Sequence, residues 1–316
     1  MKIVIPGGTG QIGTMLARRF QRDGDEVTVL SRKPTSSPWK VIAWDAETPG
    51  RWWEQIDGAD VVINLAGRNV NCRYHAANRR EIMLSRVNST RAVGAAVAAA
   101  RRPPSVWLQA GTATIYSHRF DAANDEISGV IGGSEPGAPD AWRFSIDVAR
   151  AWERAAEEAH TPNTRLVLLR SAMTMSLGSG GIFATLLGLV KSGLGGRAGD
   201  GRQYMSWIHE EDFIHTIRWL IERESFKGAV NLAAPDPLPN AEFMRILREA
   251  CGMKIGLPTA DWMLELGARV LCTETELILK SRRVVPSRLL DAGFTFQFPK
   301  WREAACELCA RSRACG

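Results

Sequence analysis

The strongest constraint on this fold lies in the first twenty residues. Lys2-Ile-Val-Ile-Pro6 reads as a short buried strand. It runs into Gly7-Gly8-Thr9-Gly10-Gln11-Ile12-Gly13, and then into a helix with apolar residues at Ile12, Met15, Leu16 and Phe20. Glycines at 7, 10 and 13 have separate tasks in such a turn. The first permits the tight turn, the second lets backbone N–H groups approach a pyrophosphate, and the third lets helix pack close to strand. The spacing alone is weak evidence; a strand before and a helix after make it specific. The expectation is a bound dinucleotide contacted by Gly7, Gly10, Gln11, Ile12 and Gly13.

The end of the second strand, Val27–Leu30, bears on which dinucleotide. An NAD site usually places Asp or Glu there to accept hydrogen bonds from the adenosine ribose. This chain has Ser31-Arg32-Lys33 instead. A planar guanidinium suits a phosphate, and one charge-assisted contact is worth about 1.5–3 kcal/mol. Ser31 and Arg32 therefore point to the 2′-phosphate of NADP(H). Asp45, after the third strand, is expected near the adenine, and Leu65, Ala66 and Gly67, after the fourth, along the cofactor.

The rest of the first half alternates short apolar runs (41–44, 60–66, 106–110, 165–170) with helical patterns (75–100, 142–159). That rhythm predicts an α/β fold: a Rossmann-type doubly wound parallel sheet covered on both faces. A Gly/Pro-rich loop covers about 117–140. The rhythm breaks at a glycine-rich stretch, 178–203, read as loops around one helical pattern at 182–192; further helical patterns follow at about 210–223, 240–250 and 259–271. The reading is an NADP(H)-binding domain over 1–174 and a smaller, mostly helical substrate-binding lobe over 175–316, set against the carboxyl ends of the strands. Its terminal segment is about 240–316.

Composition excludes several classes. The 316 residues are 45% hydrophobic and 23% charged, ordinary for a soluble globular enzyme. The net charge of +6 comes from scattered arginine pairs with no basic run, so no nucleic-acid partner is expected. No window reaches ~18 apolar residues and the first strand is too short for a secretion signal, so no membrane partner and a cytoplasmic location are expected. The six cysteines are then expected to be reduced. Cys306-Glu-Leu-Cys309 reads as two incidental helix cysteines.

Beyond the glycine turn, the chain has Asn64-Leu-Ala-Gly67, Val87-Asn88-Ser89-Thr90 and Gly111-Thr112-Ala-Thr-Ile-Tyr116. With these it resembles the extended short-chain dehydrogenase/reductase superfamily. Gly199–Asp212 and Ser281–Phe294 resemble its "epimerase family protein" branch, which ends in a small domain of unknown role. Active members of the superfamily use a Tyr with a Lys four residues on, the Lys lowering the Tyr pKa. Here the tyrosines are Tyr74, Tyr116 and Tyr204, and Asn78, Phe120 and Ile208 follow them by four. No Lys lies between Lys40 and Lys191. The corresponding helix offers Phe144 and Val148, or Ser145 and Ala149; the branch shares this loss. Where nucleotide-sugar epimerases have a diphosphate-gripping Arg, this chain has Met205, which cannot replace it; Arg202 is three residues away.

Two candidate catalytic residues remain. Thr112 occupies the place of the superfamily's active-site Ser and could orient a substrate oxygen. Tyr116 is a substitute acid, but with no cationic neighbour its pKa would stay near ~10. Asp147 and Arg150 read as solvated charges, His209 as a structural anchor, Asp212 as a helix cap and His118 as an available imidazole. The functional expectation is an NADP(H)-binding, epimerase/dehydratase-like oxidoreductase acting on a small carbonyl or alcohol. The alternative is a non-catalytic NADPH sensor or interaction protein. The resemblance implies a homodimer through the helices near 75–100 and 142–159.

Overall fold

The computed structural model describes residues 1–178, 180–259, 274 and 276–314. Seven strands form the central sheet: β1 (Lys2–Pro6), β2 (Glu26–Ser31), β3 (Lys40–Ala43), β4 (Val61–Asn64), β5 (Val106–Thr112), β6 (Arg165–Ser171) and, after three short strands elsewhere, β10 (Gly228–Leu232). All neighbours pair in parallel, in the order β3-β2-β1-β4-β5-β6-β10. The order reverses between β1 and β4, and ligands of such sheets bind outside the carboxyl ends of the strands at that reversal.

The strands are nearly continuous runs of Val, Ile and Leu because both faces are covered. Ile3 and Ile5 point toward α1 (Gln11–Arg22), packing with Leu16 and Phe20. Val4 points the other way, with Val62 and Trp107, toward Val93 and Val97 of α3 (Ala76–Ala99) and Ala156 of α4 (Asp140–Glu157). Between α1 and α3 lies the short α2 (Trp53–Ile56).

The sheet does not end at the boundary drawn at 174. β10 extends it beyond β6, with Gly228 opposite Val167 and Leu232 opposite Ser171. After α5 (Ile182–Lys191), α6 (Glu210–Glu222) joins the α1 face through Phe213, Ile217 and Leu220. Even Leu289 and Phe294 reach that core. Strand β10 is an isolated apolar run without the strand–helix rhythm, so only long-range pairing reveals its place.

The second lobe has its own core. Strands β7 (Met173–Met175) and β9 (Trp207–His209) pair in parallel, and β8 (Tyr204–Met205) pairs antiparallel with β11 (Leu238–Pro239). Helices α5 and α7 (Asn240–Cys251) pack with the last described helix, Trp301–Ala314. Phe243 and Trp301 stack at 4.0 Å between ring centroids. Among the described residues between α7 and that last helix lie two short helices, α8 (Glu276–Leu279) and α9 (Ser287–Asp291), and the last is labelled α10. The helix expected at 259–271 lies outside the described residues, save its first.

Side chains at the start of α6 and on α7 staple the C-terminal segment in place. His209 caps α6 through Nδ1, which accepts from the Glu211 N–H, and its Nε2 lies 3.0 Å from Glu307 Oε2. Asp212 is not a helix cap: it accepts the N–H groups of Gln297 and Phe298 at 2.6 and 2.9 Å. Cys309 faces Cys251 of α7, Sγ to Sγ 2.8 Å, so its neighbour comes from another helix and not from the CxxC spacing. Among the described residues no helix is long and apolar enough to cross a membrane, and no cluster of His, Cys, Asp and Glu could hold a metal.

Candidate functional site

The glycine turn has the shape its residues predict. Gly7 has φ +74°, and a Cβ there would lie 2.6 Å from the Cα of Ala66. A Cβ on Gly13 would collide with the Gly8 backbone, whereas beside Gly10 nothing comes nearer than 3.9 Å. Two of the glycines are thus forced by close packing, and the third leaves open space. Helix α1 starts from Gly10 with no side-chain cap and no acidic residue in its first turn. Its uncapped N–H groups and positive dipole end form a ready anion site.

The predicted cofactor residues divide by what their side chains do. The Gln11 amide donates to Ser176 Oγ at 2.6 Å, latching the turn to the segment after β7. Ile12 packs against the sheet core. Ser31 is 5% exposed, with its Oγ 3.4 Å from Thr9 Oγ1, while Arg32 beside it is exposed. The Asp45 carboxylate accepts the N–H groups of Glu47 and Thr48, each at 2.9 Å, and the Thr48 hydroxyl. These bonds, the hydroxyl first, hold it below the usual carboxylate range. Asp45 thus caps its own turn while remaining exposed.

After β4, the Leu65 N–H donates to Pro6 O and the Ala66 N–H to Asn64 Oδ1 at 3.1 Å. Gly67 faces Arg86 of α3, whose guanidinium lies over Trp152. Desolvation pulls Arg86 down to about 10. Nothing in the sequence singled out this residue.

On the catalytic side, Thr112 ends β5 and accepts the Thr114 N–H at 3.1 Å. That bond uses one lone pair and leaves the O–H proton able to donate. Tyr116 is corrected. It is 2% exposed, donates to Asn231 Oδ1 and accepts from Arg170, both at 2.9 Å. Arg170 is held by two bonds to the Glu153 carboxylate, each 2.8 Å. The phenol therefore does have a cationic neighbour, but burial outweighs it and pushes the pKa up. With its hydroxyl bonded on both sides, Tyr116 is a packing residue.

Phe144 and Val148 pack around Tyr74, Ala149 packs with Ala113 and Tyr116, and the Ser145 hydroxyl donates to Glu276 of α8. The C-terminal segment thereby brings Glu276, Lys280 and Arg282 to the end of β5, where Lys280 Nζ donates to Thr114 O at 2.8 Å and Arg282 Nε to Thr114 Oγ1 at 3.2 Å. These three were missed because they lie far from β5 in sequence and carry no motif chemistry. His118 accepts the Ser281 N–H at 2.8 Å, and burial lowers its pKa, so it serves this segment as a neutral acceptor. Met205 is buried in the second core, and Arg202 lies over the Phe120 ring.

A parallel sheet in this order, with a glycine-lined helix N-terminus at its reversal, defines a Rossmann-type dinucleotide fold. The chain belongs to the NAD dependent epimerase/dehydratase family, whose model matches residues 3–233, and residues 259–308 match a domain of unknown function, DUF1731. Bovine epimerase family protein SDR39U1 is 33% identical over 98% of this chain and 100% of its own. An epimerase family protein of Staphylococcus aureus is 29% identical over 96% of this chain and 98% of its own. The crystal structure of human epimerase family protein SDR39U1 (isoform2) with NADPH superposes with a TM-score of 0.83, 29% identity, and 98% and 99% of the two chains covered.

Proposed function

We propose that this protein binds NADP(H) and acts as an epimerase/dehydratase-like oxidoreductase on a small carbonyl or alcohol, without the Tyr-xxx-Lys dyad of its superfamily. The observation that carries the cofactor reading is the glycine cradle at the uncapped end of α1, followed at the end of β2 by Ser31 and exposed Arg32 in place of a carboxylate. The NADPH in the human SDR39U1 structure supports it. Backbone groups of residues 7–13 would hold the pyrophosphate, and Ser31 and Arg32 the 2′-phosphate. When bound, the nicotinamide supplies or accepts a hydride. Thr112 would orient the substrate oxygen at the end of β5.

Calorimetric titration with NADPH and NADH, repeated on Arg32→Ala, tests this reading. NADPH is expected to bind at least about tenfold tighter, about 1.4 kcal/mol, and the variant to lose that preference. Equal binding of the two would remove the role of Arg32, and binding of neither would remove the cofactor. The sequestered hydroxyl of Tyr116 favours a second reading, a non-catalytic NADPH sensor. Intact binding with no NADPH oxidation across a broad carbonyl panel would support it.

A further inference from the structure

Among the described residues, one buried carboxylate oxygen accepts no hydrogen bond: Oε1 of Glu276. Glu276 is 1% exposed. Its Oε2 takes the Ser145 hydroxyl, but around Oε1 two cations stand just beyond bonding range, Lys280 Nζ at 3.9 Å and Arg282 Nη2 at 3.8 Å. A buried carboxylate oxygen without a donor is unfavourable. Nor are the cations simply left over. Lys280 is bonded to Thr114 O, and Arg282 to Thr114 Oγ1 and the Glu276 backbone oxygen. Thr114 lies two residues past Thr112, so this buried cluster stands at the carboxyl end of β5, on the side of the sheet where ligands bind.

A separation of 3.9 Å is too long for a direct bond. It suits a single oxygen bridging at about 2.8 Å to each side. That oxygen must donate to Glu276 and accept from Lys280. An alcohol hydroxyl does both, whereas a carboxylate or a fully ionised phosphate only accepts. Ser145, which holds the carboxylate, stands at one of the two positions where the superfamily's Tyr would stand.

Resting on the oxidoreductase reading above, we propose that Glu276 and Lys280 are the proton-transfer site that replaces the missing dyad, binding the reacting hydroxyl of a small alcohol between Oε1 and Nζ. On oxidation the O–H bond breaks and its proton moves to Glu276 Oε1. The C=O bond forms as the C–H pair leaves as hydride to the oxidised nicotinamide, and Lys280 stabilises the oxygen throughout. In reduction the protonated Glu276 donates to the carbonyl oxygen. Burial suits the pair to this exchange: it holds Glu276 above the usual carboxylate range and brings Lys280 down to about 8.

The test is a crystal structure of the wild-type protein with NADPH and no added substrate, with NADPH binding measured separately by calorimetry. The expected result is an ordered solvent oxygen within about 3.2 Å of both Glu276 Oε1 and Lys280 Nζ, with the nicotinamide ring bordering that oxygen. A direct Glu276–Lys280 or Glu276–Arg282 hydrogen bond with no oxygen between would overturn the inference. So would a solvent oxygen that the nicotinamide does not border. If calorimetry detects no NADPH binding, the proposed function itself fails. If NADPH binds and either overturning geometry appears, only the assignment of Glu276 and Lys280 fails.

Discussion

The phosphate cradle and the cluster around Glu276 stand at the same edge of the sheet but are built on opposite principles. The cradle is local. Its residues are consecutive, and their contribution comes from backbone shape: a left-handed Gly7, a Gly13 that touches Gly8, and an uncapped helix end. The cluster is assembled from side chains far apart in the chain, Thr114 and Ser145 against Glu276, Lys280 and Arg282. A local backbone device stands or falls with single glycines. A side-chain cluster depends on the packing of a whole segment, here tied down by His209, Asp212 and Glu307. The difference teaches that the cradle and the cluster can be broken one at a time.

The largest expected effect is on the cradle. Gly13→Val places carbon atoms into the Gly8 backbone and must push α1 off β1. NADPH affinity is expected to fall at least about a hundredfold, 2.7 kcal/mol or more, with the helix content by circular dichroism nearly unchanged. Calorimetric binding within a few-fold of wild type would show that the close packing of Gly13 is dispensable.

A second variant separates packing from chemistry. Tyr116→Phe leaves Asn231 and Arg170 each short of a partner in the interior. A cost of about 1–3 kcal/mol in urea unfolding is expected, with unchanged NADPH affinity. A stable variant that has lost turnover on a substrate used by the wild type would return Tyr116 to the catalytic list.

A third test sharpens the cluster itself. Burial depresses Lys280 to about 8 from an ordinary 10.5. Below pH 8 both folded and unfolded chains carry this proton, and folding bears the full cost of the buried charge. Between about 8 and 10.5 only the unfolded chain holds it, so stability rises with pH, by on the order of 3 kcal/mol at 1.36 kcal/mol per unit. Tyr74, pushed up to about 12 by burial, acts the other way: its contribution is full below pH 10 and is lost as pH rises toward 12. Unfolding midpoints taken from pH 8 to 10 should therefore rise in the wild type and lie flat in Lys280→Met. A rise of equal size in both would mean that Lys280 is solvated.

Much of the first half was legible because strands buried on both faces spell themselves out as apolar runs, and the cradle as glycines at set spacing. The bounds of β1, α1 and α3 fall within two residues of the periodic pattern. The misreadings share one cause, which is that partners distant in sequence decide what a polar or isolated element does. Asp212 looked like a helix cap and holds residues 297 and 298. Tyr116 looked free of cations until β6 brought Arg170 beside it.

What the sequence determined by itself was the dinucleotide fold, through backbone requirements that only glycine meets and an apolar period that only a covered parallel sheet satisfies. It also determined that no Lys follows any Tyr by four residues. Tertiary structure alone decided that β10 completes the sheet, that Gln11 latches the two halves, and that the Glu276–Lys280 pair stands beside Thr114. The physical reason is that backbone shape and burial periodicity are properties of adjacent residues. The environment of a buried charge, and with it its chemistry, belongs to whichever distant residues the fold packs around it.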